Sequence, residues 1–202
     1  MYVAIAGNIG SGKSTLTALL AEAFGLKPIY EAASENPYLE DFYRDMRAYA
    51  FPSQVFFLAR RVRQHLLEVN GKAPVVQDRT LYEDALVFAQ HLYREGLLSP
   101  RDWRTYLELF HSVAPALRKP DLLIYLRAGL PTLRKRIAKR GRPFEQNLPD
   151  RYLLGLNALY EELMAGWNLS PVHVVEADQV DFVERAEDRE ALLAALKPLL
   201  RP

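Results

Sequence analysis

The sequence predicts an α/β domain: a five-stranded parallel sheet flanked by helices. Three observations predict it. Five short stretches, 2–6, 27–31, 73–78, 121–128 and 172–177, read as strands, of which 2–6 and 121–128 have the apolar composition of buried ones. Each is followed by one or more segments with apolar residues at helical spacing, and strands that alternate with helices imply a parallel sheet covered on both faces. The 202 residues are enough for one sizeable core and barely two small ones, so positions 1–202 read as a single domain.

The elements follow in order. YVAIA (2–6) runs into glycine and leads to a helix over 14–24. KPIYE (27–31) is a second strand. The stretch 36–49 is amphipathic, with Pro37 suited to a first helical turn. A longer helix spans 53–70, with Ser53 as its cap. APVVQD (73–78) is a strand ending in an acid, and the helix 81–96 after it stops at glycine. Ser99 before Pro100 opens a helix over 99–117. DLLIYLRA (121–128) is a strand, 131–141 and 149–167 are helices, VHVVEA (172–177) is the last strand, and 183–200 closes as a helix. No repeat, low-complexity tract or linker interrupts this order.

Composition excludes several function classes. Lys+Arg total 26 against 25 Asp+Glu, a formal charge of +1, where a nucleic-acid binder carries a clear basic excess. Cysteine is absent, which removes disulfides, thiolate catalysis and Cys-ligated zinc and fits a reducing cytoplasm. His65, His91, His111 and His173 are scattered without metal-ligand spacing, and they read as structural, as do Trp103 and Trp167. No apolar run approaches the ~18 residues of a membrane span, and no basic-then-apolar signal pattern stands at the start. The expectation is a cytoplasmic protein that binds neither membrane nor nucleic acid.

In parallel sheets, ligands sit at the carboxyl ends of the strands. Residues just after each run therefore matter most: 7–14, Glu31, Asp78 and Arg79, Arg127, and 176–181. The first of these, GNIGSGKS, matches G-x-x-x-x-G-K-[ST] between a predicted strand and a predicted helix, which is the context a phosphate-cradling loop needs. Asn8, Ile9, Gly10, Ser11, Gly12, Lys13, Ser14 and Thr15 become candidate triphosphate contacts. Backbone N–H groups and the helix N-terminus face phosphate oxygens. Lys13 reaches the β- and γ-phosphates, and the Ser14 hydroxyl holds Mg²⁺. A chance Gly-rich turn is the plain alternative, and the flanking strand and helix weigh against it.

Water, a phosphate or a hydroxyl can accept a phosphoryl group. A phosphate acceptor needs arginines and no base, whereas a hydroxyl loses a proton as it attacks, so a placed carboxylate helps. Glu31, at the end of the second run, favours a hydroxyl; a solvated strand-end glutamate is the plain alternative, and Glu35 a competing carboxylate. A second signal is basic. Residues 134–142 hold six basic side chains, with Glu145 close behind. Nucleic acid, a solvated helix face, or the phosphates of a small ligand would each account for such a cluster.

The stretches GNIGSGKST, ENPYLEDFY, DRTLYED and RIAKRGRPFEQ together resemble the deoxynucleoside kinase family, in particular its bacterial deoxyadenosine/deoxyguanosine kinase branch, over essentially the whole chain and in the right order. The resemblance implies a P-loop kinase fold with an arginine-rich lid at about 134–147, ATP and Mg²⁺, a homodimer, and transfer of the γ-phosphoryl group to the 5′-hydroxyl of a 2′-deoxynucleoside. Glu31 matches the catalytic base. Arg79 would contact the 5′-oxygen and a phosphate, and Asp78 would help Ser14 hold the metal. Gln54 matches the glutamine that reads the base edge, Arg61 and Asp84 an Arg–Asp pair beside the base, and Phe88 the aromatic that stacks on it. Tyr43 and Glu145 match the pair on the sugar 3′-hydroxyl. Arg136, Arg140 and Arg142 would close over the phosphates, and the loop 176–182 would carry the adenine of ATP.

Spacing agrees with these roles: Gln54 and Arg61 are seven apart, Asp84 and Phe88 four, and Arg136 and Arg140 four, each pair on one helical face. One departure is the EAA at 31–33, where the family usually has proline after the glutamate. Gln54, Arg61 and Asp84 favour a purine, with deoxycytidine as an alternative. The nearest rival is a nucleoside monophosphate kinase resembling thymidylate kinase, which shares the loop and the lid. Acids near its acceptor phosphate would repel that phosphate, so Glu31 and Glu145 weigh against it. A GTP-binding switch, the rival of another class, would want an N-K-x-D signature, which this chain lacks.

Overall fold

A computed structural model describes residues 1–31 and 35–200. Five strands, β1 (Tyr2–Gly7), β2 (Lys27–Ile29), β3 (Val75–Asp78), β4 (Leu122–Arg127) and β5 (Val172–Glu176), form one sheet in the order β2-β3-β1-β4-β5. Every pairing is parallel. The central strand β1 is buried along its whole length, so side chains on both of its faces must be apolar. They divide by the two-residue period of a strand. Tyr2, Ala4 and Ala6 enter one core, and Val3 and Ile5 enter the other.

The smaller core is closed by α1 (Lys13–Phe24) through Leu16 and Leu20, and by α10 (Ala186–Leu196) through Leu192 and Leu196. The larger core takes α3 (Met46–Gln64), α6 (Pro100–Val113), α7 (Leu130–Arg140) and α9 (Asp150–Gly166). Register fixes the working edge. Ile5 pairs with Asp78 and Gly7 with Leu126, so β1, β3 and β4 end together and the loops after them share one rim.

Several elements differ from their sequence-based bounds, each for a local reason. The helix expected over 36–49 is interrupted. α2 covers Leu39–Arg44, and Asp45 then leaves helical geometry and accepts a hydrogen bond from the Ala48 amide (3.1 Å), capping α3. Pro37 lies ahead of α2. Ser53 caps nothing: it is buried inside α3 and accepts from Asn36 Nδ2 (3.0 Å). The second strand stops at Ile29, two residues before Glu31. Ala32 and Ala33, where the sequence departs from the family pattern, lie outside the described residues.

The long helices also widen. A π-helical turn, His65–Val69, ends α3. Another, Asp84–Ala89, joins α4 (Leu81–Glu83) to α5 (Gln90–Arg94). Such turns recur at functional sites because they rotate the side chains that follow. Ser99 caps α6 through the Asp102 amide (3.1 Å) as the sequence implies, but α6 ends at Val113 in a 3₁₀ turn containing Pro115. A short helix, α8 (Pro143–Gln146), follows Gly141 in place of a turn.

The larger core has little slack where α9 crosses α5. A Cβ on Gly155 would lie 2.3 Å from the His91 ring. Gly155→Ala is therefore expected to cost about 1–3 kcal/mol through overpacking, measured by urea unfolding. The penalty should shrink in a His91→Ala background, because the two positions share one space.

Candidate active site

The phosphate loop bridges β1 and α1. Gly10 and Gly12 have φ of 82° and 103°, which L side chains rarely adopt. A Cβ at Gly10 would also meet Ile137 at 2.9 Å, and one at Gly12 would meet Phe182 at 3.0 Å. The loop is thus pressed against α7 on one side and the 176–182 loop on the other. Asn8 faces inward. Its Nδ2 donates to the Leu153 carbonyl (2.9 Å) and Asn157 Oδ1 (2.7 Å), and its Oδ1 accepts from the Ile9 amide (2.7 Å). The Asn8 side chain therefore anchors the loop to α9, leaving backbone as its ligand-facing part. Lys13 Nζ donates to the Asn8 carbonyl (3.0 Å). Burial, helped by the Arg79 charge, brings its ammonium down to about 8, against the pull of Asp78, Glu83 and Glu31.

Two cavities meet at Lys13 and Ser14. The outer one, about 390 Å³, is floored by Gly10, Gly12 and Thr15 and walled by Arg136, Lys139, Arg140 and Arg142. The inner one is narrow, about 80 Å³, and runs from Ile9 and Lys13 past Glu31 and Arg79 to Gln54, Phe88, Tyr43 and Glu145. A small-ligand pocket is commonly roughly 300 Å³ or more, so the inner walls must part for an occupant of nucleoside size.

At the junction, Ser14 Oγ donates to Asp78 Oδ2 (2.5 Å), and Asp78 Oδ1 is buried with no partner. Hard oxygens with an unspent lone pair fit Mg²⁺. No group of three acidic or histidine side chains able to hold a metal occurs among the described residues, so phosphate oxygens and water would have to complete the shell.

Glu31 Oε1 accepts from Arg61 Nη2 and Arg79 Nη1, both at 3.0 Å. Burial opposes its charge, but Arg79, Arg61 and Lys13 outweigh it and bring the carboxyl down to about 2. Arg79 is the only non-glycine among the described residues with positive φ, 66°, a conformation costing about 1–2 kcal/mol. Its guanidinium lies 4.1 Å from the centre of the Phe88 ring. Arg61 is buried behind Glu31, with Nε donating to Asp84 Oδ2 (2.9 Å) and Nη1 to the Asp78 carbonyl (3.4 Å). Arg61 and Asp84 do not line the inner cavity. Gln54 is buried in its wall, with no hydrogen bond to its side chain among the described residues. Glu35 pairs with Arg60 on the outer side of α3.

The basic stretch divides by function. Arg140 Nε donates to Glu145 Oε2 (3.0 Å) and Arg142 Nη1 to Oε1 (3.5 Å), while Glu145 itself is buried. Arg136 turns away and donates to the Ser11 carbonyl (2.6 Å) and the Ala177 carbonyl (3.1 Å), tying the phosphate loop to the 176–182 loop. Arg134 pairs with Asp150 and Lys139 with Glu184 at the surface. Tyr43 stacks on Phe144, with centroids 5.3 Å apart and 16° between planes.

Phe57, Phe144 and Tyr152 also line the inner cavity, although the sequence did not single them out. Phe57, three residues after Gln54, shares its helical face, and Phe144 sits between two lid residues. Tyr152 carries no such signal, because only the packing of α9 brings it there.

Known proteins match this arrangement. The deoxynucleoside kinase family model matches residues 3–201. A deoxyguanosine kinase of Bacillus subtilis is 36% identical over 98% of this chain and 97% of its own. A deoxyadenosine/deoxycytidine kinase of the same organism is 36% identical over 90% and 84%. The structure of a deoxyadenosine kinase from M. mycoides with bound dATP superposes with a TM-score of 0.85 at 31% identity, over 98% of this chain and 99% of that one. Its P-loop kinase fold is the fold of this chain. A phosphate loop and a carboxylate held across the cleft from its lysine thus occur in a chain alike to these relatives over nearly their whole length, and the chain belongs to the deoxynucleoside kinase family.

Proposed function

We propose that the chain transfers the γ-phosphoryl group of ATP to the 5′-hydroxyl of a purine 2′-deoxynucleoside, with deoxycytidine as a poorer substrate. One observation carries this reading: Glu31 faces the inner cavity together with Lys13 and is held by Arg79. A carboxylate there can accept a hydrogen bond from an attacking alcohol. Two acids, Glu31 and Glu145, border the same space and would repel an acceptor phosphate, which argues against a monophosphate kinase.

Each residue then has a task. Backbone amides of the phosphate loop and Lys13 bind the donor phosphates. Glu31 orients the 5′-hydroxyl and takes its proton, and Arg79 passes from Glu31 toward the charge that develops on the transferred group. Arg140 and Arg142 fork onto the phosphate oxygens, and closure of residues 134–147 excludes water that would compete with the alcohol. Mg²⁺, held by Ser14 and Asp78, would neutralise phosphate charge. Gln54 reads the base edge with its unspent amide, Phe88 offers the base an aromatic wall, and Tyr43 with Glu145 takes the 3′-hydroxyl. Arg61 and Asp84 act from behind the base and behind Glu31. We assign one domain spanning 1–202, working as a homodimer in the cytoplasm; the family resemblance supports the dimer, and the absence of cysteine suits the compartment.

A panel of the four deoxynucleosides and thymidylate, each with ATP, tests the reading. Deoxyadenosine or deoxyguanosine should give the highest kcat/KM and thymidylate none. Turnover of thymidylate alone would replace the proposed reaction. Glu31→Gln should lower kcat by ~10²–10⁴-fold with nucleoside binding mostly kept; calorimetric titration separates the two, and near-normal turnover would remove Glu31 as proton acceptor.

The Lys13 ammonium, with its pKa near about 8 in the free protein, sets a pH dependence. Its charged form exists below that value, so kcat/KM for ATP should hold level up to about pH 8 and fall above it. Lys13→Arg, which keeps its charge, should extend the plateau of any residual activity. A wild-type profile flat to about pH 10 would mean that donor binding does not sense Lys13.

A further inference from the structure

Glu83 lies in the DRTLYED stretch, yet none of the chemistry above uses it. It is 1% exposed. Part of its environment is local. Its Oε2 accepts from the Thr80 amide (2.8 Å) and Thr80 Oγ1 (3.1 Å), while Thr80 Oγ1 accepts from the Glu83 amide (3.4 Å). This is a capping box at the start of α4, and stability alone would account for it.

The second oxygen is not explained by capping. Oε1 reaches across the sheet rim to the Gly7 amide (3.3 Å) and the Tyr160 hydroxyl (2.9 Å). These partners stand 76 and 77 positions away in sequence. Tyr160 Oη also lies 2.7 Å from the Gly7 carbonyl. An ionised carboxylate has about four acceptor sites; here the amides of Gly7 and Thr80 and the Thr80 hydroxyl donate to three of them, and the single Tyr160 proton is shared between Oε1 and the Gly7 carbonyl. Gly7 begins the phosphate loop, and Thr80 directly follows Asp78 and Arg79. A single buried side chain therefore fastens together the two loops that carry Lys13 and Ser14 on one side and the metal-facing acid and phosphate-facing arginine on the other.

We propose that Glu83, braced by Tyr160, is a positioning residue that sets the spacing between the phosphate loop and the Asp78–Arg79 turn, and so the alignment of the transferred phosphoryl group with its acceptor. This rests on the assignment of Lys13 and Arg79 to the reacting end of the cleft. Glu83→Gln keeps size and shape but replaces one oxygen with a donor. The amide group can keep its oxygen on Thr80 only by turning its NH₂ toward the Gly7 amide, where two donors then oppose each other.

The test is steady-state kinetics of Glu83→Gln and Tyr160→Phe beside wild type, with folding followed by thermal melts. In Glu83→Gln, kcat should fall about 10–100-fold, the scale of a misplacement near 1 Å, with the deoxynucleoside KM within about 3-fold. Tyr160→Phe, which removes a single donor, should lose about 3–10-fold in kcat with the same unchanged KM. If Glu83→Gln does not fold, Tyr160→Phe decides alone. The proposal is overturned if kcat of the folded variants stays within about 2-fold of wild type, or if kcat and nucleoside KM worsen together as in a loosened scaffold. Lys13→Ala serves as the separate control: if it keeps activity, the assignment of the reacting end fails and not the bracing by Glu83.

Discussion

The site depends on one carboxylate held between two guanidiniums. Glu31 with Asp84, and Arg61 with Arg79, place two negative and two positive charges in a region largely closed to water. Removing one partner from such a set leaves an uncompensated buried charge and costs roughly 3–5 kcal/mol. Arg79 reaches this set from a left-handed backbone, φ 66°, at a cost of about 1–2 kcal/mol. The two arginines are not equivalent. Arg61 is bound on three sides, by Asp84, Glu31 and the Asp78 carbonyl. Arg79 has one ion pair, a stacking contact with Phe88, and a buried Nε without a partner. Arg61 is therefore the fixed member and Arg79 the one with bonding capacity left for a ligand.

The lid repeats the same economy of charge. Glu145 gives Arg140 and Arg142 an internal counter-charge. On the proposed reading, a triphosphate entering beneath them would exchange one anionic partner for another, and two arginines need not be left bare beforehand. Because Glu145 also borders the inner cavity, a substrate hydroxyl that engaged it would loosen its hold on the arginines. On the proposed reading, one carboxylate would link occupation of the sugar site to capture of phosphate. It accounts for two of the six basic residues in this stretch; Arg134 and Lys139 meet surface acids instead, and Arg136 meets two backbone carbonyls.

Much of this was legible in the sequence because it is local. The central strands β1, β3 and β4 follow from apolar runs of strand length, and the phosphate loop from glycine, lysine and serine at fixed spacing. The pairing of Gln54 with Arg61 on α3 follows from helical period alone. What could not be read depends on contacts distant in sequence. Asn8 looks like a ligand-facing loop residue, yet its side chain is spent on Leu153 and Asn157. Arg136 has the spacing of a phosphate clamp with Arg140, but two carbonyls bind it first. Ser53 has the chemistry of a cap, but Asp45 starts the helix earlier, so Ser53 falls inside it and bonds Asn36. The π-helical turn Asp84–Ala89, which carries Asp84 and Phe88, inserts a residue without changing composition or apolar period enough to be seen.

The low pKa of Glu31, about 2, bears on what a base can mean here. A carboxyl so acidic cannot hold an alcohol proton before the reaction starts. Phosphoryl transfer commonly passes through a loose transition state. The attacking oxygen becomes acidic only once its bond to phosphorus has begun to form, so a weak base suffices if it is in place at that moment. The same charges that keep Glu31 ionised also regulate it. When a phosphate draws Arg79 toward itself, the strongest charge lowering the Glu31 pKa is shared, and burial, which already favours the protonated form, gains weight. On the proposed reading, the carboxylate would become more basic as the donor phosphate arrives, and proton acceptance would be tuned by the substrate with which it must be synchronised.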